Sequence, residues 1–239
     1  MNTRTQLLFG EKGMQRLKDA HVLVVGLGGV GGAALEMIAR AGIGKLTIVD
    51  ADTVNTSNLN RQLIATQNAV GKYKSEVWSK RLQAINPDLQ IAVHTDFVVQ
   101  ENAKELLSSA QFDFVVDAID TILPKVSLIH TCLQLGIPIV SSMGSGGKKD
   151  PSKVQMTDIA KTLHCALARV VRKRLYKMGV TKGVMCVFST EMTDKSAVLE
   201  IENEKYKRTT TGTVSYMPNL FGCWIASYVI RQIATQEKE

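Results

Sequence analysis

The chain lacks any CxxC pair: its four cysteines, Cys132, Cys165, Cys186 and Cys223, are never closer than 21 residues. No structural zinc site of the usual kind is therefore expected, because paired cysteines supply its ligands. Only Cys165, beside His164 on a basic segment, is a candidate for a thiol of lowered pKa; the alternative is a buried, idle thiol. The chain also lacks an uninterrupted apolar run of bilayer length. The stretch 214–230 is broken by Pro218, Asn219, Gly222 and Ser227, and reads as a core or interface helix, so no membrane association is expected. No export signal stands at the N-terminus, and lone cysteines then point to a reducing cytoplasm. Repeats and low-complexity segments are missing as well.

What is present suits one folded domain, or one with a small extension: 239 residues, 45% of them hydrophobic. Apolar runs alternate with helical periodicity through Gly144, which predicts an α/β fold: a Rossmann-like, doubly wound, mostly parallel sheet with flanking helices and a C-terminal extension. The run HVLVV at 21–25 leads into the glycine turn GLGGVG at 26–31. Val30, Ala33, Ala34, Met37, Ile38 and Ala41 then mark one face of a helix. Each glycine has a physical role in this reading. Gly26 permits the tight turn, Gly28 and Gly29 let backbone N–H groups approach a phosphate, and Gly31 lets helix pack on strand. The helix N-terminus adds roughly half a positive charge. Asp50 closes the next apolar run, KLTIVD, 24 residues after Gly26, where it can take ribose hydroxyls and disfavours a 2′-phosphate.

Asn58, Arg61 and Lys74 follow where a nicotinamide enzyme has no need of them, and two extra cations suggest a triphosphate. On a helix predicted over 70–85, Lys74 falls beside Val70, Val77, Trp78 and Leu82, with Lys72, Glu76, Lys80 and Gln83 opposite. An ammonium on an apolar stripe needs a counter-anion, which a phosphate or a core carboxylate can supply, unless it snorkels to water. Arg81 shares that face. Further on, FDFVVDAID reads as a buried strand ending in Asp117 and Asp120 at the carboxyl edge of the sheet. Asp120 is the candidate magnesium ligand; for Asp117, capping of a helix near Pro124 or a loop hydrogen bond is the reading.

Charge is concentrated in one stretch. Residues 145–185 carry ten Lys or Arg against two Asp, while the rest of the chain holds 19 bases and 20 acids. A helix predicted over 163–178 puts Ala166, Leu167, Val170, Val171, Leu175 and Met178 on one face, and Arg169, Arg172, Lys173, Tyr176 and Lys177 on the other. Such a stripe can follow a phosphate backbone; a solvated face and a surface for an acidic carrier protein are the alternatives.

Together these residues resemble the ThiF/MoeB/ubiquitin-activating family over nearly the whole chain. Members adenylate a carboxylate with ATP and Mg2+. The resemblance implies that Gly29 and Asp50 hold adenosine and that Asn58 and Arg61 belong to the SNLxRQ motif. It makes Lys74 the phosphate lysine, Asp120 the magnesium acid, and Arg4, in RTQLLFG, an arginine that reaches ATP across a homodimer. It further implies one adenylating domain over 1–239, with a nucleotide core at about 20–145 and a basic, substrate-binding and C-terminal extension at about 146–239. INPD from Ile85, VVDAID from Val115, GSGGKKDPSKVQMTDIAKT from Gly144 and CVFSTE from Cys186 look most like the branch that dehydrates a threonylcarbamoyl group on the tRNA adenosine beside the anticodon. That branch makes tRNA the partner of Lys148, Lys149, Lys161, Arg169, Arg172, Lys173, Arg174 and Lys177, and leaves a sulfurtransferase system open as a further partner. LHCA at 163–166 departs from the Asp-Pro pair often found there. The alternative is an adenylyltransferase acting on the C-terminus of a ubiquitin-like sulfur carrier, although those relatives often carry two cysteine pairs. The third reading is a nicotinamide dehydrogenase or a nucleotide-binding module without catalysis.

Overall fold

The computed structural model describes residues 3–200 and 209–235. Strands β1 (His21–Val25), β2 (Lys45–Val49), β4 (Phe114–Asp117) and β5 (Ile139–Ser142) are short and buried almost throughout, as strands covered on both faces must be. With β3 (Gln90–His94), β6 (Val154–Asp158) and β7 (Met185–Ser189) they form a seven-stranded sheet in the order β3-β2-β1-β4-β5-β7-β6. Every neighbouring pair is parallel except β6 with β7. The strand order reverses between β1 and β4, and open sheets of this kind bind ligands at the carboxyl ends beside such a switch point. Val25 pairs with both Val49 and Asp117, so the glycine turn, Asp50 and the loop after Asp117 share one edge.

Alternation along the strands sends Val22 and Val24 to one face, Leu23 and Val25 to the other. The first face is covered by α1 (Thr3–Asp19), α2 (Gly29–Arg40), α3 (Lys74–Ile85) and α7 (Tyr216–Thr235). The second is covered by α4 (Ala103–Ser108), α5 (Ile122–Gln134) and α6 (Ala166–Lys177). A small antiparallel pair, β8 (Val198–Glu200) with β9 (Thr209–Thr211), completes the elements. The stretch read as a core or interface helix is α7. Its Met217, Phe221, Ile225, Val229 and Ile233 are buried, and a Cβ on Gly222 would lie 2.4 Å from the Val30 carbonyl, so α7 and α2 pack backbone to backbone. Among the described residues, no helix is long and apolar enough to cross a membrane.

Two helices begin later than their periodicity predicts. Helix α3 starts at Lys74, not Val70, because Gly71 has φ +85° and Val70 follows a 3-10 turn. Helix α6 starts at Ala166, after His164 at φ +54° and Cys165 as N-cap. Its buried face is Ala168, Val171 and Leu175, whereas Ala166 and Met178, assigned to that face from the sequence, are exposed.

Candidate nucleotide site and basic face

Gly26 has φ +87° and donates to the Val49 carbonyl at 2.9 Å, which ties the turn to β2. Asp50 completes the corner: Oδ2 accepts the Leu27 N–H at 2.6 Å and Oδ1 the Asp52 N–H at 2.8 Å. Burial pushes the Asp50 carboxyl above its ordinary range, opposed by the Lys74 charge and by those two N–H groups. The glycines divide differently from expectation. Gly31 fits helix to strand as read, since a Cβ there would fall 1.7 Å from the Gly26 carbonyl. Gly29, however, faces α7, where its Cβ would meet Pro218 at 2.8 Å. Gly28 is the open position: its Cβ would meet only Gln62 Nε2, at 3.6 Å, and Gln62 Oε1 is buried without a hydrogen-bond partner. Trp78 braces the turn from below by donating to the Leu27 carbonyl at 3.2 Å.

Lys74 is 5% exposed, and its counter-anion within the chain is a carboxylate, Asp52, at 2.7 Å. Its burial comes from the first turn of α3 folding onto the loop after β2, and not from a central place on an apolar stripe. Asn58 is buried and closes a capping box with Asn55, so its side-chain oxygen shapes the loop that carries Arg61. Arg61 is half-buried and donates to the Ser57 carbonyl at 2.7 Å and to Asn60 Oδ1 at 2.9 Å. Desolvation lowers its pKa, and the charge of Asp120 raises it, which brings Arg61 and Asp120 into one electrostatic site. The Arg81 expected on the apolar face instead pairs with buried Glu36 at 2.7 Å.

Asp117 does not cap a helix but does make the loop hydrogen bond expected of it, accepting the Ile119 N–H at 3.1 Å; it is fully buried and paired with fully buried Lys125 at 2.6 Å. Helix α5 begins after Thr121, leaving Asp120 exposed in the loop before it. Among the described residues, no three His, Cys, Asp or Glu converge as a metal cage. Mg2+ bound together with a phosphorylated ligand takes one or two carboxylates and completes its shell with phosphate oxygens and water, a donor set to which an exposed loop carboxylate such as Asp120 can contribute. A cavity of about 220 Å³ lined by Val49, His94, Phe97 and Val98 lies past Asp50. A second, of about 560 Å³, opens beside Asn60, Lys149 and Thr213.

The basic residues separate into two groups. Lys149, Lys161, Arg169, Lys173, Arg174 and Lys177 are exposed, with Arg169, Lys173 and Lys177 at successive four-residue steps on α6. Lys148 and Arg172 are not free surface charges. Lys148 is buried with its ammonium on the Glu191 carbonyl, and Arg172 donates to the carbonyls of Ile159 and Thr162 and to Thr162 Oγ1. Glu191, missed in the sequence, also accepts the N–H groups of Lys149 and Asp150 and so anchors the loop at 144–150. Arg4 is exposed on the leading part of α1, before its kink at Gly10, together with Leu7 and Leu8 at 83% and 81% exposure. Cys165 is buried and caps α6 through its sulfur, the idle alternative; burial holds the Cys186 thiol up at about 12.

Comparison with known proteins matches the ThiF family model over residues 2–239. The tRNA threonylcarbamoyladenosine dehydratase of Escherichia coli is 45% identical over 194 residues, 78% of this chain and 72% of that protein. The Bacillus subtilis protein of the same name is 34% identical over 97% of this chain and 93% of its own length. The crystal structure of the E. coli dehydratase in complex with ATP superposes with a TM-score of 0.88 at 38% identity, covering 97% of this chain and 93% of that one. A sulfur carrier protein adenylyltransferase of Thermus thermophilus, at 40% identity, matches only 55% of this chain. The chain belongs to the ThiF family.

Proposed function

We propose that this protein is an ATP-dependent tRNA threonylcarbamoyladenosine dehydratase. The observation that carries the reading is the end-to-end similarity to an ATP-bound dehydratase, joined to one sheet edge holding the glycine turn, Asp50, Arg61, Lys74 and Asp120. Adenosine lies along Asp50 and the cavity past Val49, and the phosphates run over Gly28 toward Arg61 and Lys74. Asp120 would hold Mg2+, which would supply charge neutralisation on the phosphates. The threonylcarbamoyl carboxylate attacks the α-phosphorus, pyrophosphate leaves, and Arg61 and Lys74 stabilise the charge that builds up. Carboxylate oxygen is a poor leaving group and adenylate a good one. An internal nucleophile of the threonylcarbamoyl group then displaces AMP and closes the ring, with net loss of one water. The cavity beside Asn60 and Lys149 joins this centre to the basic face and takes the modified nucleoside.

A homodimer fits the exposed pair Leu7 and Leu8, one helical turn after Arg4, and would bring Arg4 to the partner's phosphates. The decisive experiment is nucleoside mass spectrometry of threonylcarbamoylated tRNA incubated with enzyme, ATP and Mg2+. The modified nucleoside should lose the mass of one water. An unchanged nucleoside, with ATP consumed when a ubiquitin-like carrier is supplied, transfers the protein to the sulfur-carrier branch.

The basic face gives a separate prediction. Replacing Arg169, Lys173 and Lys177 by alanine should weaken tRNA binding and flatten its salt dependence by roughly 0.7–0.9 logarithmic units per lost phosphate contact. Arg172→Ala should lower Tm instead, because its guanidinium holds carbonyls at the foot of α6. Titrations at several salt concentrations separate the two, and an unchanged slope for the triple variant removes α6 from the RNA interface.

A further inference from the structure

We propose that Lys125 is a positioning residue for the nucleotide site, acting through Asp117 on the turn that carries Asp120. The inference rests on Asp120 as the magnesium acid. Lys125 Nζ lies 2.6 Å from Asp117 Oδ2 and 3.1 Å from Ser141 Oγ, and Ser141 Oγ donates to the same Asp117 oxygen at 2.6 Å. All three residues are fully buried. Stability alone is a weak reason for such a pair, since apolar residues of similar volume often serve as well or better.

Its place in the fold supplies another reason. Asp117 ends β4, and its Oδ1 accepts the Ile119 N–H at 3.1 Å. Ala118 between them donates to the Val25 carbonyl at 2.9 Å, and its own carbonyl sits where a Cβ on Gly26 would fall, 2.7 Å away. One carboxylate thus fixes the turn that packs on the glycine corner and leads directly into Asp120. Ser141 lies on β5, three residues before Gly144, so the same oxygen also fixes the root of the 144–150 loop. Without the ammonium, Asp117 is a buried carboxylate stripped of its counter-ion, its orientation is no longer fixed, and its hold on the Ile119 N–H loosens. The ribose acid Asp50 stands on the far side of β1, and its carboxylate accepts from Leu27 and Asp52, neither of which Asp117 holds directly. The effect is therefore selective for metal and triphosphate over adenosine.

Calorimetry with two ligands tests this: AMP without metal, and α,β-methylene-ATP with Mg2+. Lys125→Met should weaken the Mg2+-dependent ligand by about tenfold, the low end of what loss of an outer-shell partner costs because Lys125 acts on Asp120 only through Asp117 and the turn, with AMP affinity kept within about twofold. Ser141→Ala retains the ion pair and should shift the same ratio by about two- to threefold, the size of one hydrogen bond. If Lys125→Met does not fold, the ratio in Ser141→Ala decides. Equal loss of both ligands, or loss of neither, in the folded variants overturns the inference. Asp120→Asn, measured alongside, keeps the two levels apart. If it alone loses the Mg2+-dependent ligand, the metal reading stands and the role of Lys125 falls; if it loses nothing, the metal reading has failed and takes the inference with it.

Discussion

Lys74→Met lowers ATP-dependent pyrophosphate release by about 10²–10³-fold, the usual loss when one preorganised partner of a developing charge is removed, and leaves tRNA affinity unchanged. Methionine keeps most of the buried volume of the lysine stem, so packing around α3 is retained. The Asp52 side chain that loses its partner is 56% exposed, so water takes over its solvation and the fold loses little. Arg61→Ala gives a comparable kinetic loss for a different reason. Its guanidinium is oriented by the Ser57 carbonyl and Asn60 Oδ1 and feels the charge of Asp120. Arg61→Lys is not a rescue, because a point charge cannot make both contacts and still reach a phosphate. Single-turnover pyrophosphate release and tRNA binding, measured on the same preparations, check the separation. Normal turnover in Lys74→Met removes that lysine from the phosphate clamp.

Strand runs, glycine spacing and Asp50 were legible because each is a local signal: β-branched residues for buried strands, and fixed offsets for a turn that joins strand to helix. The doubly wound, mostly parallel character of the sheet followed from the same alternation, whereas the point at which its order reverses came only from the structure. What the sequence concealed was non-local. Lys74 was flagged by its place among apolar residues, and the need for a counter-anion was sound, yet Asp52, 22 residues earlier, was not identified because only the folded loop brings the two together. The same test overlooked Lys125, although Val126, Leu128, Ile129 and Cys132 around it are as apolar as the neighbours of Lys74. Applied there, it would have called for a buried counter-anion, which the structure supplies in Asp117. On α6 the periodicity was correct in kind, but Arg172 could not be told from Arg169. Only the carbonyls of Ile159 and Thr162 make one structural and leave the other on the surface.

Two glycines of the turn separate stability from nucleotide binding. A methyl group on Gly31 would sit 1.7 Å from the Gly26 carbonyl and 3.0 Å from Ala118 Cβ, and neither can move without shifting β4 or opening the turn. Gly31→Ala should therefore cost about 3–5 kcal/mol, at the severe end for a single overpacking change. For a chain of this size that is a fall in Tm of roughly 6–20 °C. Gly71→Ala calibrates the comparison: φ there is +85° with nothing within 4 Å, so only backbone strain of about 1–2 kcal/mol is added. Gly28 has an extended backbone at φ −70° and meets only Gln62 Nε2 at 3.6 Å, so Gly28→Ala should leave Tm nearly unchanged. Its methyl group points where the phosphates are placed, and ATP affinity should drop by about tenfold or more if backbone N–H groups must approach a phosphate there. Thermal melts with and without ATP distinguish the two kinds of glycine. A Gly28→Ala protein with full ATP affinity would mean that the turn serves packing alone, and the phosphates would have to run elsewhere along the sheet edge.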